Sequence, residues 1–235
     1  EILGTHLDDE LCAIAKKNNP AKQTVLKEKP LVKAKLYKHQ EAAFQYALDT
    51  LSRSKGLAVL ADMGTGKTLI TISVVGTLFS QGKIQRLLVV CPKSIIGVWE
   101  EEFRKFADYR YALTALDGTL EKKKAAFNFM TGTALQVIVV NYESAWRLED
   151  EIAKWKPDMI VCDESSKIKN PMATQSKALH RLGRESKYNC ILTGTPITNN
   201  PLDFFSQYKF LDETIFGKSY YLFRNRYAIM GGYQR

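Results

Sequence analysis

Six short apolar runs punctuate the chain: LAVLAD (57–62), LLVVC (87–91), YALTAL (111–116), QVIVVNY (136–142), MIVCDE (159–164) and NCILTG (189–194). Each is nearly continuous rather than alternating, the pattern of a strand covered on both faces; a half-exposed strand would place polar residues at every second position. Between them lie longer stretches whose apolar residues recur at helical intervals: TLITISVVGTLFSQG (68–82), SIIGVWEEEFRKF (94–106), TLEKKKAAFNFM (119–130), SAWRLEDEIAKW (144–155) and MATQSKALHRLG (172–183). Gly82 and Gly183 stand where glycine caps would end two of these helices. YKHQEAAFQYALDTLSRS (37–54) predicts a helix before the first strand, and the aromatic FFSQYKFLD (204–212) one after the last. Strand and helix in alternation predict an α/β fold, a mainly parallel central sheet with helices on both faces.

Composition narrows the picture. With 45% hydrophobic and 25% charged residues in a chain of 235, there is enough apolar material for a real core, which excludes a disordered tail, a collagen-like repeat and a small disulfide scaffold. The four cysteines form no C-x-x-C pair, and Cys91, Cys162 and Cys190 fall in or at the end of apolar runs, as buried reduced thiols would. No run is long enough to span a membrane, and the first residues lack the basic start and apolar centre of a signal peptide. A soluble, cytoplasmic protein is expected, and a chain that opens on Glu1 rather than Met is expected to be cut from a longer one.

The formal net charge of +9 suggests a polyanionic partner, but the excess sits at the two ends. Residues 1–15 carry four acids and no Lys or Arg; residues 16–38 carry eight Lys against Glu28 alone; residues 218–235 add Lys218, Arg224, Arg226 and Arg235. Residues 39–217 are almost balanced, with 22 basic and 20 acidic side chains. The lysine-rich lead-in reads either as a solvated segment or as a nucleic-acid contact, and composition alone leaves both open.

The chemistry begins where the first strand ends. Ala61-Asp62-Met63-Gly64-Thr65-Gly66-Lys67-Thr68 fits the phosphate-loop pattern A-x-x-x-x-G-K-T. Gly64 and Gly66 permit a tight turn whose backbone N–H groups face phosphate oxygens, Lys67 can reach the β- and γ-phosphates, and Thr68 can hold Mg²⁺. The helix that follows presents its N-terminus to the same anion. A second signal sits at the end of MIVC: Asp163 is placed to hold the Mg²⁺ through water, and Glu164 to polarise a water for in-line attack on the γ-phosphate. Lys67 and Glu164 are thus the catalytic candidates, and ATP with Mg²⁺ the ligands.

The order LYKHQ, DMGTGKT, LLVVCPKS, VVNYES, VCDESS and LTGTPITNN resembles the first RecA-like lobe of superfamily-two helicases, and LTGTP-x-x-NN followed by an aromatic helix resembles the SWI/SNF-type DNA translocases. The likeness covers roughly 36–217, leaving 1–35 as a basic lead-in and 218–235 as the start of an extension toward a second lobe. It implies that Gln40 reads the adenine edge and that Thr193, Gly194 and Thr195 sense the γ-phosphate. It also implies that Pro92, Lys93 and Ser94, Gly118 and Thr119, and Asn141 and Tyr142 line a groove for DNA, double-stranded and gripped without regard to sequence. A second RecA-like lobe would supply an arginine, so this lobe alone is expected to hydrolyse ATP poorly. The acidic motif ends in Ser165-Ser166, where most relatives end in histidine; that form is associated with phage and prokaryotic members and leaves the coupling role of Ser166 in question. A strand-separating helicase, a restriction-type motor and a nucleotide-gated DNA-binding module share enough of these motifs to stay open.

Other residues read more plainly. Lys122, Lys123 and Lys124 are read as solvated surface, His39 and His180 have no partner at metal spacing, and Trp99, Trp146 and Trp155 fall on amphipathic helices as packing residues. SYYLFRNRY (219–227) reads as a helix with packed aromatics and exposed arginines.

Overall fold

The computed structural model describes residues 28–129, 132–197 and 200–228. The acidic start, the lysine-rich lead-in through residue 27, Cys12, Thr198 and Asn199 of the LTGTPITNN run, and Arg235 lie outside the described residues.

The strands are β1 (Gly56–Leu60), β2 (Arg86–Cys91), β3 (Tyr111–Ala115), β4 (Leu135–Asn141), β5 (Met159–Asp163) and β6 (Tyr188–Thr193). They form one sheet in the order β1-β6-β5-β2-β4-β3, every pair parallel. All six coincide with the apolar runs. The reason shows in the two core clusters: Leu87 and Val89 of β2 belong to one, Leu88 and Val90 to the other, and β4 divides Val137 and Val139 from Ile138 and Val140 in the same way. Both faces are covered, so neither set could be polar.

One face carries α1 (Lys38–Leu51), α2 (Lys67–Ser80) and α3 (Ile96–Phe106), which contribute Phe44, Ile72, Trp99 and Phe103 to the first cluster. Every residue of α2 from Leu69 to Leu78 is buried, as in a helix enclosed on all sides. Its Gly76 leaves room for the Tyr109 ring, whose hydroxyl donates to the Ile72 carbonyl at 3.0 Å. The other face carries α5 (Tyr142–Arg147), α6 (Glu149–Trp155), α7 (Thr174–Glu185) and α8 (Asp203–Leu211), with Leu148, Ile152, Leu179 and Phe210 at its centre. α4 (Leu120–Ala125) follows β3, and α9 (Tyr220–Tyr227) closes the described chain. Among the described residues no helix is long and apolar enough to cross a membrane.

Four local features bear on the sequence reading. Gly82 does end α2: at φ +67° it lets its own amide reach the Phe79 carbonyl and the Lys83 amide reach that of Leu78, the two bonds of a Schellman cap. Gly183 does not end α7, which runs on to Glu185; a Cβ there would lie 2.9 Å from the Phe210 ring, so the glycine serves close packing. The stretch 144–155 is two helices, because fully buried Leu148 (φ −107°, ψ 17°) turns the chain so that both pieces lay an apolar side on the sheet. The stretch 119–130 is helical only to Ala125 and tightens into a 3₁₀ turn over Ala126–Phe129.

Candidate active site

The phosphate loop joins the end of β1 to α2. Gly64 (φ +80°) and Gly66 (φ +85°) occupy the left-handed region that disfavours a side chain, and Gly66 stands as the N-cap of α2 with no side chain capping the first amides. Thr65 folds the loop on itself, its hydroxyl donating to the Asp62 carbonyl at 2.8 Å. The Lys67 ammonium donates to the carbonyls of Ala61 (2.8 Å) and Asp62 (3.0 Å), which fixes it at the loop. Asp62, Met63 and Gly64 are exposed, and Thr68 on the first turn of α2 is half-buried.

Gln40 ties α1 to this loop. Its Nε2 donates to the Thr65 carbonyl at 3.1 Å, while its Oε1 accepts from the Tyr37 amide at 3.0 Å. A Cβ on Gly66 would collide with that same amide nitrogen, so the two residues are fitted to each other. A primary amide has two donors and two lone pairs, and one of each remains for a ligand edge. His39, which the sequence marked only as lacking metal partners, also reaches Thr65 O, at 3.3 Å, and stacks on the Tyr37 ring.

The acidic pair closes β5. Asp163, 7% exposed, accepts from the indole Nε1 of Trp99 at 2.9 Å and from the Glu164 amide at 2.9 Å. Burial pushes its carboxyl above the usual range, opposed by those two hydrogen bonds and by the positive charge of Lys67. Glu164 has φ 53° and ψ 55°, a left-handed conformation that a residue with a side chain adopts at some cost, of the kind stored at functional turns. Beneath it, the Tyr142 hydroxyl donates to the Asp163 carbonyl at 2.7 Å.

Because β6 lies between β1 and β5, its end stands between the phosphate loop and the acidic pair. The Ala61 amide donates to the Thr193 carbonyl at 3.2 Å, and a Cβ on Gly194 would meet the Ala61 carbonyl oxygen at 3.4 Å. Thr193 is fully buried, and its hydroxyl accepts from the Thr195 amide at 3.1 Å. Three neighbouring strands thus bring Lys67, Asp163, Glu164 and Thr193–Thr195 together. Thr68 and Asp163 offer only hard oxygen donors, which suits Mg²⁺; among the described residues no group of three or more His, Cys, Asp or Glu could hold a metal ion.

The expected groove residues divide. Lys93 and Ser94 are exposed after β2, and Gly118 (φ +86°) and Thr119 are exposed after β3. Asn141 is half-buried, and its side chain caps α5 by accepting from the Ser144 amide at 2.7 Å. Tyr142, at 5% exposed, keeps its ring in the core and its hydroxyl on Asp163, so it supports the acidic pair instead of lining a groove. The triple lysine is less free than its sequence implied: Lys123 donates to Ser144 Oγ at 2.8 Å and Lys124 pairs with Glu151 at 2.8 Å. Burial holds the thiols of Cys91 (pushed up to about 12), Cys162 and Cys190 protonated. In α9, Phe223 is buried among Phe205, Phe216 and Tyr227, and Arg224 and Arg226 lie over tyrosine rings.

Sequence reasoning missed the contacts of Trp99 and Tyr142 with Asp163. A buried indole N–H needs an acceptor, which was the available signal, but spacing did not say which acceptor.

Comparison with known proteins agrees with this geometry. Residues 39–230 match the SNF2-related domain. The chain is 30% identical over 202 residues to a "DNA repair and recombination protein RAD54-like" of Drosophila ananassae, covering 80% of this chain and 25% of that protein. It is 34% identical over 167 residues to human "DNA repair and recombination protein RAD54B", covering 68% and 18%. Among solved structures, the Sulfolobus solfataricus SWI2/SNF2 ATPase core in complex with dsDNA superposes with a TM-score of 0.72 at 32% identity, over 86% of this chain and 41% of that one. The chain therefore spans a quarter or less of these curated relatives and about two fifths of the solved core. Its fold, its phosphate loop and its matched residues make it a member of the SNF2-related family of ATPase domains.

Proposed function

We propose that this chain is the nucleotide-binding lobe of an ATP-driven motor that moves along duplex DNA and remodels what is bound there, without separating the strands. The observation that carries it is the alignment of the phosphate loop, the Thr193–Thr195 segment and the acidic pair on adjacent strands β1, β6 and β5. The loop amides, the α2 N-terminus and Lys67 bind the triphosphate, and the spare donor and lone pair of Gln40 face the adenine edge. Thr68 and Asp163 would hold Mg²⁺, which would supply charge neutralisation at the phosphates. Glu164 orients and deprotonates the attacking water, and Thr193–Thr195 sense the γ-phosphate. The half-buried Pro92, exposed Lys93 and Ser94, and the exposed Gly118–Thr119 loop contact the sugar-phosphate backbone, so binding is salt-dependent and indifferent to sequence.

A second RecA-like lobe completes the site. An arginine supplied across such an interface is worth about 10³–10⁵ in rate, so this lobe alone turns ATP over very slowly. A cytoplasmic location is part of the proposal. The placement of Glu164 beside Asp163 favours hydrolysis over a nucleotide-gated binding module, which needs no base. The test is ATP turnover by the full-length protein with and without duplex DNA, alongside Lys67→Ala. Stimulation by DNA that Lys67→Ala abolishes is expected; equal turnover with and without DNA, or an active Lys67→Ala protein, overturns it.

A further inference from the structure

Behind the acidic pair lies a buried polar contact that neither motif contains. Ser165, directly after Glu164 and fully buried, donates its hydroxyl to Oε1 of Gln207 at 2.6 Å. Gln207 lies on α8, is also fully buried, and donates from Nε2 to the carbonyls of Pro196 (2.8 Å) and Asp203 (3.0 Å). The two carbonyls fix the amide's orientation, because a flipped Gln207 would set its own oxygen against both of them. Pro196 follows Thr195, whose amide is held by the Thr193 hydroxyl, and Gly194 rests against the Ala61 carbonyl of the phosphate loop. The chain of contacts runs from the Glu164 turn through Ser165 and Gln207 to the Thr193–Pro196 loop and back to the phosphate loop.

We propose that Gln207 is a positioning residue that couples the Glu164 turn to the Thr193–Pro196 loop, so that DNA engagement is transmitted to the hydrolytic carboxylate through Ser165. Three features support this. An amide is the neutral side chain that can accept at one end and donate at the other, which the two contacts require. The turn it restrains holds Glu164 at φ 53°, a conformation that persists only when its surroundings hold it. A fully buried amide with its partners satisfied is rigid, so a shift of either end is passed on and not absorbed by solvent. The contact starts one residue before Ser166, whose own coupling role the sequence left in question. The inference rests on the functional reading above, and concerns how the site is regulated.

The experiment is steady-state ATP turnover by the full-length protein across a duplex DNA titration, for wild type, Ser165→Ala, Gln207→Met and the double variant, with ATP affinity and melting temperature measured on each. DNA-stimulated turnover is expected to fall about tenfold in each single variant, within the range by which such networks modulate coupling. DNA-independent turnover and ATP affinity stay near wild type, and the double variant is no worse than either single one, as for two links in one chain. Ser165→Ala is nearly isosteric and stands as the test if Gln207→Met loosens α8. Wild-type stimulation in folded Ser165→Ala, equal loss of basal and stimulated rates, or additive effects would overturn the relay. Failure of DNA to stimulate the wild-type protein would instead overturn the functional reading and the relay with it.

Discussion

Replacing Trp99 with Phe removes the N–H that reaches Asp163 Oδ2 at 2.9 Å while keeping an aromatic ring beside Phe103. Trp99 is 1% exposed and Asp163 7%, so water cannot readily take the lost donor's place. A hydrogen bond to a charged group contributes about 1.5–3 kcal/mol. The smaller ring leaves a gap of about 40 Å³, which at about 24 cal/mol per Å³ adds about 1 kcal/mol. A total of about 2.5–4 kcal/mol should lower the melting temperature by about 5–16 °C for a domain of this size. The second consequence is chemical. Burial already pushes Asp163 above the usual carboxylate range and the Trp99 bond opposes that shift, so its loss raises the carboxyl further. A raised folded-state pKa means the carboxylate is lost as pH falls and regained as pH rises, and Mg²⁺ needs the carboxylate. Mg²⁺-dependent binding of a fluorescent ATP analogue should therefore need more Mg²⁺ in Trp99→Phe, with the deficit growing as the pH is lowered toward the carboxylate range and shrinking as it is raised. An unchanged Mg²⁺ requirement, or a deficit equal at every pH, would refute the role given to this bond.

Gly66→Ala should weaken ATP binding at least about tenfold by equilibrium titration, because the residue sits at φ +85° and its new methyl would displace Gln40 from the phosphate loop. His180, buried with its Nε2 2.9 Å from the Ser206 carbonyl, has a pKa lowered by desolvation to about 4. The stability it contributes is full above the unfolded value near 6.5 and is lost as pH falls toward 4, by up to about 3 kcal/mol, so urea midpoints should drop across that window and His180→Gln should flatten the slope. Lys93→Ala should reduce the salt dependence of duplex DNA binding by about one unit of slope without changing sequence preference, measured by anisotropy across a salt titration.

The parts of the fold visible in the sequence were those that local physics dictates. Short β-branched runs such as LLVVC and MIVC read as strands covered on both sides, and the phosphate loop announces itself because its glycines, lysine and threonine act within a few residues of one another. Contacts between distant segments were not visible. Trp99 meets Asp163 across 64 residues and Ser165 meets Gln207 across 42, and nothing in the local pattern of either names its partner. The family resemblance implied a groove role for Tyr142, yet packing turns its ring inward. Gly183 looked like a helix stop because glycine often is one; Phe210 on α8 is what excludes a side chain there. Net charge carried little of the site, because the body between residues 39 and 217 is nearly neutral and the chemistry lies in the loops at the strand ends.

The central claim is that Glu164, held in its left-handed turn beside Asp163, is the base for ATP hydrolysis. The most direct measurement is ATP turnover by the full-length Glu164→Gln protein at saturating duplex DNA, with ATP affinity determined on the same preparation. Loss of turnover by at least about 100-fold with ATP affinity retained is the predicted result. Turnover close to wild type would contradict it.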